Sequence, residues 1–183
     1  MSRRYGKIAK EILLHTATAG AIVIAASSPY FGIRLFHNLL KEPSQRKKFS
    51  QALNRLKRSR MILLSEKAEG KFLVELTEEG KRKVREFQFA DLNIERPKKW
   101  DKGWRVVIFD IPNKKKRARE ALRDKLKELG FYQLQESVWA FPYPCQAEIE
   151  FLVELFGLYP YVNFLEARTI KDDARIKKYF SLL

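Results

Sequence analysis

A chain of 183 residues, 45% of them hydrophobic, can fill one medium core or two small ones. Its single cysteine, Cys145, excludes an intramolecular disulfide, and with only two histidines, His15 and His37, it is too little for a structural zinc site. The net charge of +15 favours a polyanionic partner, because basic side chains release condensed counterions from nucleic-acid phosphates.

Most of this excess lies in residues 1–100, which hold roughly +12 against about +3 for the remainder. The amino-terminal half is therefore the expected nucleic-acid binder, and a reducing cytoplasm is the expected compartment. Ile12 to Ile33 carries no charged residue and follows a basic start, the pattern of a signal anchor. His15, Thr16, Thr18, Ser27, Ser28 and Pro29 dilute the run, however. Its strongly apolar core, Ala19 to Ala26, is much shorter than the roughly 20 residues a bilayer crossing needs. A buried helix, with no membrane, is the expectation.

In chain order, residues 3 to about 26 predict a first helix closed by Ser27-Ser28-Pro29, since proline disfavours helix at the residue before it. A second short helix is expected in YFGIRLFHNLLK, then a turn with Ser44 as an N-cap. The helix predicted over Gln45 to Arg58 places Phe49, Ala52, Leu53 and Leu56 in one buried stripe. Arg46, Lys47, Lys48, Gln51, Asn54, Arg55, Lys57 and Arg58 take the other faces, and no acid occurs between Gln45 and Arg60. A solvated surface helix usually mixes signs; cations and amides alone suit phosphates and base edges in a major groove.

MILLSE and FLVELT then predict two strands joined by KAEGK, with Gly70 at the turn and Lys67 and Lys71 placed to touch phosphates. Thr77 caps the helix that follows. Three helices, a two-stranded ribbon and a closing helix make a winged helix-turn-helix over 1–92, and FLVELTEEGKRK resembles the second wing strand and following helix of many bacterial and archaeal winged-helix regulators.

Residues 93–103 are polar, contain a proline, and predict a linker. From 104 to 183 the pattern changes. WRVVIFDI is a continuous apolar strand, and KKKRAREALRDKLKELG is an amphipathic helix with Ala118, Leu122, Leu126 and Leu129 on one side and Gly130 at its end. FYQLQESVWAF gives two strands about a turn near Glu136, QAEIEFLVELFGL a helix, and YVNFLEARTI a strand. Strand, helix, strand, strand, helix, strand is the ferredoxin-like order, so the expected class is α+β with two domains. Along FYQLQESVWAF, Val138, Trp139 and Phe141 are candidates either for the core or for a dimer interface.

The segment WRVVIFDIPNKKKRAREALRDKLKELGFYQLQESVWAFP resembles the central domain of the PaaX family, the repressors of phenylacetate degradation. That domain is in turn similar to the small CRISPR-associated adaptation endonuclease. The resemblance rests on Asp110-Ile111-Pro112, on Leu129-Gly130-Phe131, and on the cluster Gln135, Ser137, Val138 and Trp139. It implies a homodimeric repressor of transcription, binding double-stranded DNA through a winged helix that precedes this domain, with no cofactor needed for binding. With the sequence ending at Leu183, the family's further C-terminal domain is expected to be missing, which puts an acyl-coenzyme A response in doubt and leaves the effector open.

Asp110 carries the competing expectation. In the similar CRISPR endonucleases the acid at this strand end meets its symmetry mate and holds one magnesium ion, which requires few protein ligands because it keeps several waters. Asp110 would then be catalytic and metal-binding in a nuclease or an adaptation-complex subunit. The other reading is local: an aspartate here can accept hydrogen bonds from the turn after it or pair with Lys114 to Arg117.

Overall fold

The structure, a computed structural model, describes residues 5–25, 43–67 and 71–182. The chain divides into two compact units, Met1–Ala90 and Asp91–Leu183. Among the described residues it is an α+β protein with two antiparallel sheets and six α-helices.

The amino-terminal unit runs α1 (Lys7–Ala19), β1 (Ala21–Ala25), α2 (Pro43–Arg58), β2 (Ile62–Lys67), β3 (Lys71–Leu76) and α3 (Glu78–Asp91), with the strands in the order β1-β3-β2. The first element differs from expectation. The helix predicted to about residue 26 ends at Ala19, Gly20 adopts φ +75°, and Ala21–Ala25 becomes a strand paired with β3 from Ala21↔Glu75 to Ala25↔Lys71. Ile22, Val23 and Ile24 are β-branched and stiff at χ1, so an available strand partner outweighs continuation of the helix. No described helix is long and apolar enough to cross a membrane. The helix expected over residues 30–41 lies outside the described residues, as do Gly70 and the side chain of Ser44.

Ile12 and Leu13 of α1, Phe49 and Leu56 of α2, and Ile62 and Val74 of the sheet form the core of this unit. The stripe predicted for α2 is thus the buried one, with Ala52 and Leu53 packed at its margin. Thr77 caps α3 as expected: its hydroxyl accepts the N–H of Gly80 at 3.0 Å and donates to the Arg60 carbonyl at 2.5 Å. Arg60 has φ +55°. It ends α2 as a left-handed residue, with Met61 N–H bonded back to Leu56 O at 3.0 Å.

The carboxy-terminal unit contains β4 (Trp104–Phe109), a 3₁₀ turn (Asn113–Lys115), α4 (Lys116–Glu128), β5 (Tyr132–Gln135), β6 (Val138–Phe141), α5 (Gln146–Phe156), a second 3₁₀ turn (Tyr159–Tyr161), β7 (Val162–Ala167) and α6 (Ala174–Tyr179). Its sheet has the order β5-β6-β4-β7 with every neighbour antiparallel. Central β4 is buried along almost its whole length, as a continuous apolar run predicts. Gly130, at φ +88°, ends α4 with Phe131 N–H on Leu126 O at 3.0 Å.

One expectation for this unit is corrected, and of the two alternatives for Trp139 and Phe141 the structure places them in the core. Residues 93–103, polar enough for a linker, pack onto it: Ile94 is buried, the Arg96 guanidinium lies over Phe141, and the Trp100 ring sits 4.9 Å from Trp104. The dimer-interface candidates Trp139 and Phe141 are 1% and 0% exposed. Their cross-strand partners are Val107 and Arg105, so they share one face of the sheet, while partly buried Val138 packs with Trp104, Val106 and the tail residues Ile176 and Phe180 on the other. The tail from Ile170 to Leu182, unforeseen in the strand pattern, covers the face that would otherwise be open.

Candidate nucleic-acid interface and the Asp110 notch

Burial of Phe49 and Leu56 fixes the rotation of α2, and the 3.6-residue period then determines what faces outward. Lys47, Gln51, Asn54 and Arg58, spaced by four, three and four, form the stripe opposite the core, and all four are exposed. Lys48 and Arg55 flank it on one side and Lys57 on the other; these too are exposed. Arg55 lies over the Tyr5 ring, 5.4 Å from its centre. Arg46 has no described side chain.

Among the described residues no carboxylate pairs with Lys47, Lys48, Lys57 or Arg58. The contrast with α3 is direct: there Lys81 pairs with Glu78 at 2.7 Å, Arg82 with Glu79 and Lys83 with Glu86. Helix α3 neutralises itself by i,i+3 pairing; α2 does not. Lys67 and Lys71 stand opposite each other across the β2–β3 ladder, both exposed. The hairpin also carries Glu66, Glu69 and Glu75, so these two lysines are local cations at the tip of the ladder rather than a basic patch.

Asp110 lies at a notch of about 260 Å³ between the end of β4, the outward side of α4 and the β5–β6 turn. Its carboxylate is exposed and makes no hydrogen bond or ion pair among the described residues. The local cap foreseen for it, through the 111–116 turn or Lys114 to Arg117, is therefore not formed there. The backbone N–H of Asp110 donates to Tyr161 O at 2.9 Å. Two arginines one helical turn apart border the same notch. Arg119 donates to Ile111 O at 3.1 Å and Asn113 Oδ1 at 3.3 Å, and Arg123 to Glu136 O at 2.8 Å. Sequence reasoning did not single out Arg119 and Arg123; their i,i+4 spacing on the polar side of α4 was the available signal.

The described residues contain no cluster of three or more potential metal-ligating side chains. Asp110 could supply one oxygen to a magnesium ion, with water, phosphate or another carboxylate completing the shell. Cys145 offers no nucleophile: burial pushes its thiol up to about 12, so it stays protonated.

No curated protein matches this chain. Among solved structures, the uncharacterized protein Rv0674 from Mycobacterium tuberculosis is similar at 17% identity with a TM-score of 0.37, over 92% of this chain and 63% of that one. Residues 97–178 match the family model described as the PaaX protein central Cas2-like domain. The carboxy-terminal unit thus carries a PaaX-type central domain, and the chain is consistent with a PaaX-like family.

Proposed function

We propose that this protein is a DNA-binding transcriptional regulator of PaaX-like type, in which a winged helix-turn-helix is followed by a ferredoxin-like domain. The sheet order β5-β6-β4-β7 with two intervening helices supports the second assignment, and the β1-β3-β2 sheet flanked by α1 and α2 supports the first. The observation that carries the reading is the outward face of α2, where cations and amides stand exposed on a helix that has no acid. Gln51 and Asn54 occupy the centre of that face, suited to base edges. Lys47 and Arg58 at its ends, with Lys67 and Lys71 of the hairpin, suit phosphates. The regulator acts in the cytoplasm as a homodimer on double-stranded DNA, so that two helices read two half-sites.

The test is binding of purified protein to labelled genomic fragments, including its own promoter, at physiological salt. Selective retention of one promoter region is expected, with affinity falling at least tenfold in Lys47→Ala/Arg58→Ala and selectivity relaxing in Gln51→Ala/Asn54→Ala. Equal retention of all fragments, or binding indifferent to both variants, overturns the proposal.

A second reading rests on the exposed, unpartnered Asp110 carboxylate beside Arg119 and Arg123. Here Asp110 holds a magnesium ion and the two guanidinium groups border the phosphate in a metal-dependent nuclease. Magnesium-dependent cutting that disappears in Asp110→Asn supports it. Promoter binding without cutting, unchanged in Asp110→Asn, excludes it and leaves the regulator.

A further inference from the structure

The start of α4 and the turn before β7 form one surface. Lys115 joins them: its Nζ donates to Gly157 O at 2.8 Å and lies 5.7 Å from the centre of the Tyr161 ring. Around this link Lys114, Lys116 and Arg117 are exposed, and none makes an ion pair among the described residues. The first turn of α4 contains no acid. Glu120, the nearest acid along the helix, lies 3.4 Å from Arg119 Nε and 3.6 Å from Arg123 Nη1, so it does not serve the three. Asp110 borders this surface, tied to it through its backbone N–H on Tyr161 O at 2.9 Å, and exposed Glu154 lies one helical turn before Gly157.

Tyr159 belongs to the turn that Lys115 holds, two residues beyond Gly157, and is 62% exposed, among the most exposed large hydrophobic side chains of the described residues. Concentrated cations follow a phosphate backbone, and an open aromatic ring offers a face to a base. In a duplex the bases are stacked on one another and out of reach of such a ring, whereas in a single strand they are free to stack on it.

We propose that Lys114, Lys116, Arg117 and Tyr159 form a binding surface for single-stranded nucleic acid, with the cations on successive phosphates and Tyr159 stacked on one base. This surface goes beyond the reading of duplex by α2 and does not depend on it.

The experiment uses the full chain and a fluorescein-labelled oligothymidylate of about twelve nucleotides, a length within the span one such surface covers. Its affinity is followed by anisotropy between about 50 and 200 mM salt. Lys114→Ala/Lys116→Ala/Arg117→Ala is expected to lose at least roughly tenfold in affinity, with a log–log salt slope shallower by about 2, the contribution of three phosphate contacts to a single strand. Tyr159→Ala loses roughly five- to tenfold and Tyr159→Phe restores it, because stacking needs the ring and not the hydroxyl. All four side chains are exposed, and an unchanged unfolding midpoint confirms that the variants are folded. The proposal is overturned if neither variant alters binding, or if the loss appears in Lys47→Ala/Arg58→Ala instead. It is also overturned if a duplex of equal length binds as tightly and Tyr159→Ala is neutral. Promoter binding by α2 stands or falls separately, on the genomic-fragment assay.

Discussion

In the amino-terminal unit the cations of α2 face solvent and have no carboxylate partner among the described residues, while the aliphatic side chains of the same helix hold the core. In the carboxy-terminal unit three arginines, Arg105, Arg119 and Arg123, are instead committed to partners within the fold. Arg105, its side chain 9% exposed, binds both carboxylate oxygens of Asp101, at 2.8 and 2.6 Å, and the Pro142 carbonyl at 3.2 Å. Arg119 and Arg123 tie α4 to the loop after β4 and to the β5–β6 turn. Similar side chains therefore do different work: a guanidinium committed to backbone carbonyls stabilises its own fold, and one left in water is available to a polyanion.

The largest effect that would sharpen this contrast is expected from Arg105→Ala. All three tryptophans, Trp100, Trp104 and Trp139, belong to the carboxy-terminal unit, so tryptophan fluorescence during denaturant unfolding reports that unit. Removal of Arg105 should cost about 2 kcal/mol, since it strands the buried Pro142 carbonyl and empties a nearly buried side-chain site. Lys47→Ala/Arg58→Ala should stay within about 0.5 kcal/mol of the parent in overall unfolding followed by circular dichroism, as exposed substitutions do, while weakening DNA binding. Equal stability losses in the two variants would break the comparison.

Gly80→Ala comes next. Alanine is ordinarily the better helix former, but a Cβ here would meet the Met61 carbonyl oxygen at 2.0 Å. A loss of about 1–3 kcal/mol in overall unfolding is expected from the forced backbone shift; a gain would mean that α3 and the start of β2 are not locked at this point.

Acid titration gives a smaller effect. The hydrogen bonds from Arg105, the largest cause, hold the Asp101 carboxyl at about 2, below its ordinary 3.8. Its contribution is therefore complete above about pH 4 and fades as pH falls towards 2. Asp101 is 49% exposed, so solvent screening keeps the loss modest. Tryptophan-monitored stability should decline more steeply across that window in the parent than in Asp101→Asn; parallel curves would deny the pair a role. The smallest change is expected for Arg60→Gly, a gain of up to about 1 kcal/mol from relieving a left-handed arginine.

Much of the carboxy-terminal unit was legible because its signals are local. Trp104 to Phe109 could only be a buried central strand, Leu122 and Leu126 mark one face of α4, and Leu129-Gly130-Phe131 spells a helix end. The end of α2 was less legible, since the left-handed position is held by Arg60, which has no glycine-like signature. Ile22 to Ile24 failed for another reason: an apolar run of that length suits helix and strand equally, and pairing with distant β3 decided it. The candidate face of α2 followed from periodicity alone. The notch at Asp110 did not, because Arg119 and Arg123 reach it only once α4 lies against the sheet.

The sequence by itself determined the helices with strong 3.6-residue periodicity, the central strand β4, the hairpins and the basic outer face of α2, since each depends on neighbours within a few turns of chain. Only the tertiary structure decided that Ala21–Ala25 is a strand, that residues 93–103 are packed, and that Trp139 and Phe141 are internal. It also decided that the start of α4 meets the turn before β7, through Lys115 on Gly157 O. Those outcomes rest on contacts between residues tens of positions apart, where cross-strand pairing and burial of apolar area outweigh local preference.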